Sequence, residues 1–577
     1  MRRREFLFAP LAASLLDAQS QEDAHGELSF RQVRLDFCSS ELTPDAGSDF
    51  NAAELIRVLS GARVHSINAS AKCHHGYAYY DTRIGVRHPS LKVDLLGELI
   101  RSSKQAGIVI HYYYSLARDA HRWRQHPEWL MVDRQGQPYT GLLCLNTPYA
   151  DHVIAENQEI LQKYDPSGGV MFDSIDRSPL GCFCKWCVED REKLGLGKDL
   201  ERHNALVASR FDKRIASILG NRPCTAYDRA VIDSGFDVEV RRRRPRTSNL
   251  SGLVQKTSAE MDFLNVLANG AGVQVREQPR LLPRLDAASY RRIGEVFRRI
   301  ESLEPWARDA RPITDIGVLS PSPTALLLEL HHQFDILDEH SDLAAYRMLI
   351  VAEDSPKSPK LVAKLKEYIA RGGGVLVAGA ILPDSVDLGI QYAGASLYKG
   401  ESMMLKPGLF SGMESNKPSL LYHQGLAIRA KPGTEVLATY GHASDDAQST
   451  TDPLITRKGS VIFIANALFR DPQPVHREVI AELIRMLLPK QAVLATGLPR
   501  DARVTMLEQR LATGIRRVVH VLCLGVLENV QLSVRLPQHP LAVVTVPDQK
   551  PVEFVHNEFY TTFTLPRING HQAIAFE

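Results

Sequence analysis

The amino-acid sequence predicts an α/β protein built on a parallel sheet, with an antiparallel β segment at its C-terminal end. Three observations predict this class. Through the first half of the chain, short β-branched or aromatic runs alternate with segments of helical spacing, the order of parallel strands joined by helical crossovers. A second alternation of the same kind begins near Ile313. From about Ala492 onward, strands follow one another without helices, which is the pattern of antiparallel pairing.

Val33 to Phe37 is the first strand and Ala52 to Leu59 the first helix. Val64 to Ala69 is a second strand, and Leu95 to Gln105 a helix stopped by Gly107. Ile108 to Tyr114 is a third strand, Val153 to Tyr164 a helix and Gly169 to Phe172 a fourth strand. Thr225 to Tyr227 and Phe236 to Val240 are the fifth and sixth candidates, and the helix Ser258 to Leu267 leads to a last strand, Val273 to Val275. Acidic or histidine residues stand just after several of these strands. The predicted architecture is therefore a (β/α)8 TIM-like barrel, whose chemistry sits at the C-terminal ends of its strands. A regular barrel takes about 250 residues, roughly thirty per βα unit, and only about thirty separate the sixth and last candidates. One unit is short, so the barrel is expected to be a shortened one. The basic run Arg241-Arg242-Arg243-Arg244-Pro245-Arg246 falls in this gap and reads as a solvated loop rather than a nucleic-acid patch.

In the second alternation, Ile316 to Leu319, Met348 to Val351, Val375 to Ala378 and Val461 to Ala465 are strands. The amphipathic helix Leu361 to Ala370 ends at Gly372-Gly373-Gly374, and the helix Val475 to Leu488 closes the unit. These glycines follow a helix and precede a strand, the reverse of a phosphate cradle. Arg503 to Leu507, Arg517 to Cys523, Val530 to Leu536 and Thr561 to Leu565 are strands of a small antiparallel β domain. The expected division is 1–24 for a targeting segment, 27–310 for the barrel, 312–490 for the second α/β domain and 491–577 for the β domain.

Composition narrows the function. The 69 Lys and Arg residues nearly balance 67 Asp and Glu, whereas nucleic-acid-binding domains carry a concentrated basic excess. No internal run reaches the roughly 18 apolar residues of a membrane span, so none is expected in the mature chain. Arg3-Arg4-x-Phe6-Leu7, followed by an apolar run to Leu16, matches a twin-arginine export signal with cleavage near Ala18. A periplasmic or extracellular location follows as an expectation.

The most specific chemical signal is in the cysteines. Cys182, Cys184 and Cys187 form C-x-C-x-x-C, and Cys144 precedes Asn146-Thr147-Pro148. Disulfides within so tight a group would be strained, whereas four thiolates satisfy a structural Zn²⁺; reduced, buried cysteines are the other reading. The His74-His75 pair after the second strand can bind sugar hydroxyls or be ordinary loop residues. Asp173 ends an apolar strand and suits a nucleophile or proton donor, or a cap on its loop. Asp36, after the first strand, suits hydroxyl binding. A glycosidase needs two carboxyl groups. Glu239 on the sixth candidate strand and Glu277 past the last are the options for the second, and Glu239 is taken first.

The stretches Ala71-Lys72-Cys73-His74-His75-Gly76, Cys144 through Asp151, Phe172-Asp173, and Arg284-Leu285-Asp286 through Glu304-Pro305-Trp306 resemble a bacterial group called hypothetical glycosyl hydrolase 6, over about residues 30 to 310. That group is similar to α-L-fucosidases, including glycoside hydrolase family 151. The His pair also looks like the substrate-binding pair of family 29 α-L-fucosidases, and Asp173 then falls at the nucleophile position. Cys144 with Cys182, Cys184 and Cys187 resembles the metal-bearing pattern of family 42 β-galactosidases, in which Asp173 would fall at the acid/base position instead. Residues 312–490 look like the glutamine-amidotransferase-like trimerisation domain of those enzymes, without the nucleophilic Cys of an amidotransferase. The resemblance implies an exported glycoside hydrolase acting on a carbohydrate, an α-L-fucosidase of retaining mechanism, with structural zinc and a homotrimeric assembly. A β-galactosidase-like enzyme, or a catalytically inactive sugar-binding or assembly relative, is the alternative. The chain departs from the group where Phe236 to Val240 stands for a longer strand-helix-strand stretch, and where Arg276-Glu277-Gln278 replaces a Gly-Asp-Gln-like segment. Both departures bear on barrel closure and on the acid/base.

Overall fold

A computed structural model describes residues 30–44, 46–173, 181–222, 224–226, 256–277, 285–396, 401–410, 413, 418–442, 449–470 and 472–577. The predicted export signal, the sixth strand candidate with Glu239, and the basic run lie outside these residues. The chain falls into two compact units, one ending at Pro305 and the other running from Trp306 to the C-terminus, with Ala268–Gly270 joined to the latter.

The first unit is a parallel sheet with helical crossovers. Its strands are β1 (Arg31–Leu35), β2 (Ser66–Lys72), β3 (Val109–Ser115), β4 (Val170–Asp173), β5 (Cys224–Ala226) and β6 (Val273–Glu277). They lie in the order β6-β1-β2-β3-β4-β5, all parallel. Strands next to each other in sequence are next to each other in the sheet, except that β6 returns to flank β1. That return is what a barrel requires. Among the described residues no strand joins β5 to β6, and these strands form a six-strand parallel arc in place of the eight of a full barrel.

Local chemistry sets the elements. Helix α1 (Ala52–Gly61) starts where Asn51 accepts from the Glu54 backbone N–H, and α2 (Leu95–Gln105) where Asp94 accepts from that of Gly97. Helix α3 (Tyr149–Tyr164) begins four residues before the expected start, directly after Pro148. Strand β2 begins and ends later than expected. It is buried along its whole length despite Ser66, Asn68, Ser70 and Lys72, because both of its faces are covered. Gly168 leads into β4, and a Cβ there would lie 2.7 Å from the His111 ring. Only glycine lets the turn pass that ring and bring β4 into register, with Met171 beside Tyr113 and Asp173 beside Ser115.

The second unit opens with β7 (Ile316–Val318), β8 (Phe334–Ile336), β9 (Met348–Ala352), α4 (Pro359–Ala370), β10 (Gly374–Ala378), β11 (Val461–Ile464) and α5 (Pro474–Leu487). Its strands run β8-β7-β9-β10-β11 in parallel, then continue into antiparallel strands that complete a nine-stranded sheet. The near-continuous apolar runs of β9, β10 and β11 are buried on both faces, as central parallel strands are. The same unit holds a seven-stranded sheet with its own core, built on β12 (Arg503–Leu511), β13 (Gly514–Arg535) and β14 (Tyr560–Phe576), all antiparallel. The two strands expected at Arg517 to Cys523 and Val530 to Leu536 are one strand. A register shift between Leu522 and Val526 bends it and breaks its hydrophobic alternation, which is why it reads as two.

Candidate active site

At the C-terminal end of the first sheet, side chains from four strands and their loops converge on Asp173. Ser115 and Asp173 are register partners, and the Leu116 N–H donates to the Asp173 carbonyl at 2.8 Å. Tyr113 lies two residues before Ser115 and therefore on the same face. Its hydroxyl donates to Asp173 Oδ2 at 2.6 Å. Arg34, from β1, places Nη2 3.3 Å from the same oxygen, and its guanidinium lies 4.2 Å from the centre of the Tyr113 ring. His74, from the loop after β2, puts Nε2 4.0 Å from Oδ2. Arg34 and Tyr113 are buried, whereas the Asp173 side chain is 17% exposed and His74 41%, so the cluster opens toward solvent on the histidine side.

The protonation pattern follows from the partners. Burial pushes the Tyr113 hydroxyl up, and the Asp173 charge pushes it further, so Tyr113 stays protonated and donates. Burial pushes His74 below the usual histidine value, although Asp173 pulls the other way, so the ring is neutral at pH 7. The Ser115 hydroxyl donates to the Arg118 carbonyl at 2.6 Å and lies 2.7 Å from His74 Nδ1. Its one proton being used, Ser115 accepts from Nδ1–H, which leaves Nε2 as the basic nitrogen facing Asp173.

Asp36 is buried just beyond β1, where its Oδ1 accepts from the Cys38 N–H at 3.1 Å. Its charge acts on both His74 and Tyr113. His75 joins the site through its backbone, because its carbonyl accepts from His121 N–H at 3.0 Å, as that of His74 does from Ala120. Glu277 ends β6 opposite Leu35 of β1. Glu239 lies outside the described residues.

Sequence reasoning missed Arg34, Tyr113 and Lys72. Arg34 sits at a strand position among apolar neighbours, and a charged residue there is a signal of an inward-facing partner. Tyr112-Tyr113-Tyr114 reads as strand-forming bulk and conceals which ring faces the site. Lys72 lies behind it, completely buried. Its Nζ is 2.8 Å from Asp119 Oδ2, 3.1 Å from Tyr114 OH, 3.2 Å from Tyr149 OH and 3.6 Å from Glu156 Oε2. Burial opposes its charge, but Asp119 and Glu156 outweigh burial and hold the lysine well above its ordinary value. Asp119 also caps the helix Ala120–Gln125, whose first two N–H groups hold the His74 and His75 carbonyls. The buried lysine is thereby connected to the position of the histidine loop.

The four cysteines singled out by spacing converge. Cys144, Cys182, Cys184 and Cys187 are buried, and their sulfurs lie within 4.8 Å of one another. Cys144 Sγ and Cys187 Sγ are 3.4 Å apart, and Met131 and Trp186 pack around the group. Sulfurs about 3.8 Å apart are the edges of a tetrahedron with 2.3 Å Zn–S bonds, so the donor set and its size fit a closed tetrahedral ion.

The first unit thus presents an aspartate, a histidine and a buried Arg–Tyr pair at the ends of its parallel strands, and the second unit holds a mixed α/β sheet and an antiparallel sheet. Residues 51–174 match the family model described as hypothetical glycosyl hydrolase 6. The fold is similar to that of α-L-fucosidase isoenzyme 2 from Paenibacillus thiaminolyticus, with a TM-score of 0.79 and 22% identity over 95% of this chain and 100% of that one. It is also similar to a β-galactosidase from Rahnella sp. R3, with a TM-score of 0.65 and 13% identity over 96% and 98% of the two chains. A β-galactosidase from Bacillus circulans sp. alkalophilus has a TM-score of 0.62 and 13% identity over 96% and 100%. No curated protein matches the sequence.

Proposed function

We propose that the protein is an exported glycoside hydrolase that releases terminal α-L-fucose with retention. The observation that carries this reading is the Asp173 carboxylate, held by Tyr113 at 2.6 Å and Arg34 at 3.3 Å while its histidine side opens to solvent. A nucleophilic carboxylate must be aimed before the sugar arrives, and a buried cation with a hydroxyl donor fixes its orientation. Asp173 attacks the anomeric carbon through an oxocarbenium-like transition state, and Glu239 protonates the leaving oxygen and then activates water. His74, His75 and Asp36 orient the sugar hydroxyls. The likeness to a fucosidase fold and the His74-His75 pair support fucose over galactose. Cys144, Cys182, Cys184 and Cys187 would hold a structural Zn²⁺ that pins the segment after β4, leaving no open position for catalysis. Residues 312–490 would assemble the chain as a homotrimer.

A second reading, a sugar-binding relative without turnover, draws on the six-strand arc that stands, among the described residues, in place of a full barrel. Aryl α-L-fucoside and β-galactoside hydrolysis by wild type and Asp173→Ala separates the readings. Fucoside turnover that falls by about 10³-fold or more in the variant supports the proposal; loss of a nucleophile removes the covalent route altogether. Faster β-galactoside turnover would overturn the substrate, and a folded wild type inert on both would favour the binding protein.

A further inference from the structure

Ser115, the buried register partner of Asp173, meets the side chain of His74. Its Oγ lies 2.6 Å from the Arg118 carbonyl oxygen and 2.7 Å from His74 Nδ1. Two oxygens that close need a proton between them, and a carbonyl has none to give, so the serine proton is committed to Arg118. The contact with His74 is then made by an Nδ1–H, and Nε2 carries the lone pair. The parts of this relay are fixed in place. In the loop after β3, the Leu116 N–H donates to the Asp173 carbonyl at 2.8 Å, and the Ala117 carbonyl accepts from the Leu143 N–H at 2.8 Å. Asp119, 2.8 Å from Lys72 Nζ, caps the helix Ala120–Gln125, whose Ala120 N–H donates to the His74 carbonyl at 3.0 Å. One loop therefore holds both the backbone and the ring of His74.

We propose that Ser115 is a positioning residue that locks His74 in its Nδ1–H form, so that Nε2 accepts a hydrogen bond from a hydroxyl of the bound sugar. The neighbours of Nε2 are the reason a lock is needed. Asp173 Oδ2 stands 4.0 Å from it and the Tyr113 hydroxyl 3.4 Å, and both oxygens can accept from an Nε2–H. In that other form the histidine turns a donor toward the carboxyl group that is to react and offers the sugar no acceptor. The Tyr113 proton is directed at Asp173, 2.6 Å away, rather than at Nε2. The His74 side chain is 41% exposed, so a ligand can reach it. Burial, with Arg118 and Arg34, outweighs Asp173 and Asp36 and holds His74 below its ordinary value, which keeps the ring neutral. A selection rule follows. At this position the sugar must donate, and a deoxy or O-methyl group there, with no proton to give, forfeits the contact.

The sugar in this proposal rests on the glycosidase reading, whereas the tautomer belongs to the protein alone and is measured without substrate. Full-length protein carrying ¹⁵N in its histidine rings is compared with His74→Gln by nitrogen NMR, and the signals that vanish belong to His74. At about pH 7 the expected pair is a protonated Nδ1 and an unprotonated Nε2. In Ser115→Ala, with its fold checked by melting temperature, the Nε2–H form should appear. In Ser115→Thr, which keeps the hydroxyl, it should not. On an aryl α-L-fucoside, Ser115→Ala should raise KM about 3–10-fold with kcat changed by less, the loss of one neutral hydrogen bond, and Ser115→Thr should keep the wild-type KM. A wild type in the Nε2–H form overturns the proposal, whether or not the variants fold. A folded Ser115→Ala protein in which His74 stays Nδ1–H also overturns it, as does one whose tautomer changes while KM does not. A wild type inert on the fucoside overturns the fucosidase reading instead, and the tautomer signals still decide for or against Ser115.

Discussion

Tyr113 is the most informative single side chain of the candidate site. It donates to Asp173 and packs its ring against Arg34. Tyr113→Phe keeps the ring and removes only the donor. A hydrogen bond to a charged group contributes about 1.5–3 kcal/mol, so kcat/KM should fall about 10–100-fold if the bond is kept in the transition state. An unchanged kcat/KM would mean that Asp173 does not depend on this donor. Lys72 predicts the opposite pattern. Lys72→Met leaves Asp119 and Glu156 buried beside an apolar chain, and breaking a buried pair costs about 3–5 kcal/mol. The denaturant midpoint should fall strongly. A variant of wild-type stability would show that Asp119 and Glu156 are satisfied without the lysine.

Single elements carry testable burdens as well. Four thiols converge from the segment after β4 and from the end of the strand Pro138–Leu143, and metal analysis of the purified protein should find about one zinc per chain, lost in Cys184→Ser. Far less than one metal in wild type would return the cluster to reduced, buried cysteines. In β13, His520 is buried, with Nδ1 3.0 Å from Nε2 of His571 in β14. Burial pushes its pKa from 6.5 down to about 4. The unfolded chain then takes up a proton as pH falls through 6.5, while the folded sheet does not until about 4. This histidine's stabilising share is therefore complete above pH 6.5 and is lost on acidification toward pH 4, in total about 3 kcal/mol. Denaturant titrations of wild type and His520→Gln between pH 7 and 4 measure it. Parallel pH profiles would show that His520 contributes nothing to the slope.

For the chain as a whole, the proposed trimer is open to a direct mass measurement. Within the second unit Tyr392, Leu420 and Tyr422 are exposed apolar groups, and light scattering at micromolar concentration should give three times the chain mass of 64.3 kDa. A monomer would remove that assembly. The family match at 51–174 covers β2, β3 and most of the site, whereas the likeness to the solved enzymes extends over nearly the whole length and speaks for the fold.

The alternation of strands and helices, the four clustered cysteines and the strand-end position of Asp173 were legible in the sequence. Each is a local pattern: a periodicity, a spacing, a polar residue ending an apolar run. Boundaries moved where burial overrode polarity, as in β2, and where a shift in register disguised one long strand as two, as in β13. Arg34 and Tyr113 were not legible, because each lies inside a strand and acquires its role from a neighbour 139 or 60 residues away. The Lys72 network is of the same kind. Spacing along the chain states what a residue can do, but the register of parallel strands decides what it faces, and that register is set by packing between segments far apart in sequence.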